Sequence, residues 1–135
     1  KGASLAVQLP VFKRCVELAE ECSLPLIIHA VKCTEELIQI KKEMKPRMPW
    51  IIHGFRGRRE VASVYLKHGF YLSFGEYFQE DALRSVPLDR IFLETDESSL
   101  SIDEIYRRVA ETYDITLDLL IDSITSNVEK VLYLR

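Results

Sequence analysis

The chain has 135 residues, 47% of them hydrophobic and 29% charged, with a formal net charge of -3. That balance fits one soluble globular domain and excludes a disordered chain or a collagen-like repeat. No apolar run approaches the roughly 20 residues a membrane helix needs, and Lys1-Gly2-Ala3 lacks both an opening Met and the basic and apolar order of a signal peptide, so the expected location is the cytoplasm.

Taken in chain order, Leu5, Leu9, Phe12, Val16 and Ala19 recur at steps of four and three, the stripe of an amphipathic helix. Ser23 ends it before Pro25, while Pro10 inside the pattern implies either a kink or a regular part that starts near Leu9. Cys15 and Cys22 fall on this helix about 10 Å apart along its axis, too far for a disulfide. With no CxxC pair in the chain, the three cysteines are expected to be buried small hydrophobes in a reducing compartment. Leu26-Ile27-Ile28 is too short for a helix and reads as a buried strand running into His29.

The unit then repeats. A helix is predicted from Thr34, a plausible N-cap, to Met44, followed by a strand at Trp50-Ile51-Ile52 and a helix from Arg58 to His68 with Gly69 as its left-handed cap. Phe70 to Phe74 is a third strand, Gln79 to Val86 a short helix stopped by Pro87, and Ile91 to Glu94 a fourth strand. Two helices, Ile102 to Tyr113 and Thr116 to Leu134, close the chain. Strands alternating with helices imply a parallel sheet in an α/β fold, so the C-terminal ends of all four strands share one edge, where such folds bind ligands.

Three strands end in potential metal ligands: Ile28-His29, Ile52-His53 and Glu94-Thr95-Asp96. Two imidazoles and a carboxylate on one edge suit a divalent ion such as zinc or manganese; the alternative, that each residue is a separately satisfied polar group, is less favoured because the pattern recurs at three strands. The third histidine, His68, reads as a surface residue favoured by a helix dipole. After His53 come Gly54-Phe55-Arg56-Gly57-Arg58-Arg59, and after His29 comes Lys32, cations able to meet a phosphate or merely to solubilise a loop. Charge is split along the chain: from Lys41 to Lys67 eight basic residues stand against Glu43 and Glu60, and from Glu94 to Asp122 nine acidic residues stand against Arg107 and Arg108. Such a split could steer a polyanion, and solvated helix faces also produce it. No Walker loop or dinucleotide fingerprint occurs.

The segments Leu24 to His29, Ile52 to Gly57, Gly69 to Phe74 and Pro87 to Asp96, in this order, resemble the successive signatures of the TatD family of metal-dependent deoxyribonucleases. The match extends from the helix carrying Gln8 and Phe12 to the closing helix with Asn127. The resemblance implies the C-terminal half of a (β/α)8 TIM barrel of the amidohydrolase type, about four parallel strands in a single domain over 1–135. It implies hydrolysis of DNA phosphodiester bonds by metal-activated water, with one or two divalent ions (Mg, Mn or Zn). His29, His53 and Asp96 match metal ligands, Asp96 also helping to activate water, and Arg56 and Lys32 are placed to hold phosphate. Gly54 stands where many members have Cys, Ser98 where they have Pro and Lys32 where Arg is common. Members also begin with a strand bearing a His-x-His pair and later a metal-bridging Glu, both absent here, so the expectation is weak or no activity for this chain alone, and self-association or pairing with an N-terminal half. The other readings are an amidohydrolase-type enzyme acting on amides or esters, and a noncatalytic α/β interaction module without the metal.

Overall fold

Helix α1 runs from Leu5 to Cys22 with Pro10 inside it. The computed structural model, which describes residues 2–133, thus favours the longer of the two helices that Pro10 left open. Proline at the sixth helical position leaves the carbonyl one turn earlier without its usual donor, a loss tolerated near a solvent-facing helix start. Leu9 and Phe12 are half-buried and Val16 is buried against the sheet, as the stripe requires.

Helix α1 stops by a local device that recurs. Ser23 adopts φ 54°, its amide donates to the Glu20 carbonyl and that of Leu24 to Ala19. Helix α3 (Arg59–Lys67) ends in the same way, with Gly69 at φ 77° and the amides of Gly69 and Phe70 returning to Leu66 and Tyr65. So does α5 (Ile102–Tyr113), with Asp114 at φ 56° and Ile115 donating to Ala110. In each case a left-handed residue reverses the chain and the next residue, Leu24, Phe70 or Ile115, is apolar, which is the Schellman arrangement.

The remaining helices are α2 (Thr34–Met44), α4 (Glu80–Ser85) and α6 (Leu117–Leu132), with a 3-10 turn at Leu88–Arg90. Ser101 and Thr116 cap α5 and α6 by accepting the amides of Glu104 and Leu119. Thr34 does not cap α2. It is the first helical residue, Cys33 holds the cap position, and the Thr34 hydroxyl instead meets the Tyr65 hydroxyl at 3.1 Å, a tertiary bond between α2 and α3. Arg58 likewise precedes α3 as its cap. Leu134, expected in the last helix, lies outside the described residues.

Strands β1 (Leu26–His29), β2 (Trp50–His53), β3 (Tyr71–Phe74) and β4 (Ile91–Leu93) pair in parallel in the order β1-β2-β3-β4. Alternate residues divide the sheet into two faces. Ile28, Trp50, Ile52, Leu72, Phe74 and Ile91 are buried in the core cluster with helix residues such as Val16, Leu37, Ala62, Leu83, Ile105 and Leu120. A chain of edge-to-face aromatic contacts runs through this layer: Phe12 on Trp50 (5.5 Å), Trp50 on Phe70 (5.7 Å), Phe70 on Tyr65 (5.0 Å), Tyr65 on Phe55 (6.1 Å) and Phe55 on Phe74 (5.6 Å). Such pairs add about 0.5–1.5 kcal/mol each beyond their burial, and here they tie α1 to the loop that follows β2.

The other face carries Ile27 and His29, Ile51 and His53, Tyr71 and Ser73, and Phe92 and Glu94. Its lower half is apolar: Ile51, Tyr71 and Val131 of α6 form a buried cluster with Phe92 packed against it. Ile27, on the edge strand, is 67% exposed. Asn127 of α6 is buried and its amide donates to the Leu88 and Ile91 carbonyls at 2.8 and 2.9 Å, fixing α6 to the start of β4. The expectation of buried cysteines fails: Cys15 and Cys22 are exposed and Cys33 is half-buried, because the stripe that faces the core uses Leu9, Phe12 and Val16 and turns both α1 cysteines outward. Among the described residues no helix is long and apolar enough to cross a membrane.

Candidate metal centre

The upper half of the same sheet face is polar, and its groups converge. His53 ends β2 and its Nδ1 lies 2.9 Å from the Glu94 carboxylate. The Gly54 amide donates to Glu94 Oε2 at 3.2 Å and the Ser73 hydroxyl donates to the same oxygen. Glu94 remains part of the sheet edge, since its own amide donates to Phe74. Gly54 has φ 61°, a conformation costly for a residue with Cβ, and this turns its amide toward the carboxylate.

With Nδ1 committed to Glu94, the other ring nitrogen of His53 faces Asp96, Nε2 to Oδ2 being 3.6 Å. That is too long for a good hydrogen bond. It is close to the separation of about 3.4 Å between two donors that each sit about 2.1 Å from one tetrahedral ion. The donor atoms of His53, Glu94 and Asp96 all lie within 4.8 Å of one another, and imidazole with carboxylate is a donor set that borderline and hard divalent ions accept. The residues therefore fit a divalent metal: His53 Nε2 and Asp96 would hold it, and Glu94 would fix the imidazole from behind. This is the orienting carboxylate that metal-bound histidines generally require. Asp96 itself has φ 48°, a left-handed backbone unusual for a non-glycine residue, in a turn where Ser98 N donates to Thr95 O. Strain of this kind is kept where the surrounding structure dictates it, commonly at functional positions.

The sequence-predicted residues are placed as follows. His53 and Asp96 come together. His29 is the direct register partner of His53 across β1 and β2, with ring centroids 5.8 Å apart, but it is exposed and stands outside the three-group cluster. Arg56 lines a cleft of about 240 Å³ together with Gly54, Tyr77, Glu94 and Asp96, and its guanidinium lies 4.8 Å from the centre of the Tyr77 ring. Lys32 is exposed in the loop after β1, with φ 51°, and does not line that cleft. Arg58 and Arg59 are exposed at the start of α3, also outside it. His68 stands at the C-terminal end of α3, where desolvation and the nearby Lys42, Lys67 and Lys41 push its imidazole pKa down. Glu94 and Ser73 were missed as site residues. The signal for Glu94 was its position, two residues before Asp96 at the end of a strand and on the face that carries His53.

Comparison with known proteins agrees with this geometry. The family described as TatD related DNase matches residues 2–133. The chain belongs to the TatD family. Among relatives, the uncharacterized metal-dependent hydrolase YabD of Bacillus subtilis is 29% identical over 146 residues, covering 93% of this chain and 57% of that protein. The human 3'-5' RNA nuclease TATDN2 is 34% identical over 99 residues, covering 66% of this chain and 13% of that protein. In fold, the TatD family hydrolase of Entamoeba histolytica superposes with a TM-score of 0.83 at 17% identity, covering 98% of this chain and 59% of that one. The four parallel strands and their helices are thus part of a TatD TIM barrel, and the chain spans about half the length of the relatives it matches most fully.

Proposed function

We propose that the intact protein is a metal-dependent hydrolase of nucleic acid phosphodiester bonds, with DNA as the substrate expected first. The observation that carries this reading is the His53, Glu94 and Asp96 cluster opening into the same cleft as Arg56. His29, whose ring centre lies 5.8 Å from that of His53, is the residue proposed to join His53 and Asp96 as a further ligand. A divalent ion bound there supplies Lewis-acid polarisation of a phosphoryl oxygen and makes water more acidic.

The chain's own groups do the rest. Glu94 keeps the Nδ1 proton of His53, so that Nε2 presents its lone pair to the cleft. Asp96, half-exposed on the cleft wall, is the carboxylate placed to take the proton of the attacking water. Arg56 offers a guanidinium fork to a phosphate whose charge grows in the transition state. Lys32, at the next loop along the rim, adds long-range attraction rather than a contact within the cleft.

A phosphodiester panel of single-stranded and duplex DNA and RNA, run beside an amide and ester panel with added Mg, Mn or Zn, tests the reading. Cleavage of nucleic acid is expected, with Arg56→Ala raising KM and lowering the slope of affinity against salt by about one charge. Hydrolysis confined to amides or esters would assign the amidohydrolase alternative. Absence of both metal binding and turnover of any panel member by the intact protein would assign the noncatalytic module.

A further inference from the structure

The cleft that Glu94 and Asp96 line is also lined by an aromatic residue, Tyr77. Tyr77 is 61% exposed, yet it is not a loose surface side chain. On its N-terminal side the chain leaves β3 through Gly75, where a Cβ would meet the Glu94 carbonyl oxygen at 3.5 Å, and Glu76 accepts a hydrogen bond from the Ser98 hydroxyl. On its C-terminal side Phe78 packs against the core, and Gln79 Nε2 donates to the Arg56 carbonyl at 2.9 Å. Arg56 therefore contacts this segment twice, through its backbone and through a guanidinium 4.8 Å from the Tyr77 ring centre. The loop is pinned on both sides of an aromatic residue left largely open to water, next to the carboxylates of Glu94 and Asp96.

We propose that Tyr77 is a stacking platform for a nucleobase of the substrate strand, next to the phosphate held by Arg56. The proposal rests on the phosphodiester reading above and names what distinguishes a nucleic acid from a simple phosphodiester. A flat ring pinned beside the scissile position gains from any base, since every base presents a π-face, and the Arg56 guanidinium on one side pre-orients the ring while reaching for phosphate. Recognition of this kind tolerates sequence and rejects backbone alone.

The test measures dissociation constants of the intact, metal-loaded protein for a short single-stranded oligonucleotide and for the same strand carrying abasic sites, with equal length and charge. The intact strand should bind about tenfold more tightly. Tyr77→Leu should reduce that ratio to near one, and Tyr77→Phe, which keeps the ring, should retain it. Equal binding of the two strands by the unmodified protein, with cleavage still observed, would overturn the stacking role and leave the phosphodiester reading standing. Absence of binding to either strand, with turnover of an amide or ester, would overturn both. A ratio that survives in Tyr77→Leu would also overturn the proposal, because the base would then be read elsewhere.

Discussion

Loss of the contact between Asn127 and the start of β4 should destabilise the fold measurably. Asn127 is buried to 1% exposure, and its amide nitrogen serves both the Leu88 and Ile91 carbonyls. Asn127→Ala deletes both donors and leaves at least the carbonyl of fully buried Ile91 unpaired. At about 1–1.5 kcal/mol for each bond, with some added cost for the void, the expected loss is about 3 kcal/mol. With an m-value of about 1.5–2 kcal/mol/M for a domain of this size, the urea midpoint should fall by about 1.5–2 M. Asn127→Asp separates donor loss from volume. At neutral pH its carboxylate would face two carbonyl oxygens with no proton to offer, so it should cost more than alanine. Repulsion and burial raise its folded-state pKa, so the penalty is full above that value and fades as acid supplies one O–H donor. A midpoint shift below about 0.3 M for alanine, or an aspartate tolerated at neutral pH, would refute the claim that this amide holds α6 to β4.

Glu94→Gln should weaken binding of Mn or Zn to the intact protein about 10- to 100-fold in calorimetric titration, and Ser73→Ala less, because the imidazole loses the anion that orients it. His53→Ala, which removes the nitrogen facing Asp96, should weaken it at least as much. Burial raises the Glu20 carboxyl pKa, but the Met48 and Arg47 amides outweigh this and, with the Arg47 guanidinium, hold it below the usual range. Its contribution is therefore present above the unfolded value of 4.5 and lost as pH falls through the lower folded value. Melting curves of the parent and Glu20→Gln should accordingly stay apart above pH 4.5 and converge as the pH falls below it. Asp114→Gly and Ser23→Gly should each stabilise by about 0.5–1 kcal/mol in urea denaturation, since glycine adopts their left-handed conformations without the Cβ penalty.

The fold was legible because its signals are local. Ile28, Ile52 and Phe74 announce strands by short apolar runs, and Ser23, Gly69 and Asp114 lie where chain reversal is needed, so element order followed even where a boundary moved by a residue. Thr34 shows where locality ends: a residue with the chemistry of a cap was taken by a tertiary partner, Tyr65, that lies 31 residues away. The cysteines of α1 show the same limit, since composition says cysteine is usually buried but the helix phase turned these two outward. Within the site, His53 and Asp96 could be read from strand ends. The role of Glu94 could not, because it arises from donors on β2 and β3 converging on one oxygen, a fact of three strands at once.

The two faces of β2 impose on this protein something close to a reading frame. Ile52 belongs to the core beneath the sheet and His53 to the metal cluster above it, one residue apart. One residue inserted early in β2 would send the imidazole into the hydrocarbon layer and an isoleucine toward Glu94. Two residues would restore the faces but advance His53 by about 6.6 Å along the strand, beyond the reach of the carboxylate that orients it. Length variation compatible with both the core and the centre must therefore fall outside the strands, in the helices' far ends and the turns that lead away from them, whatever side chains those segments carry.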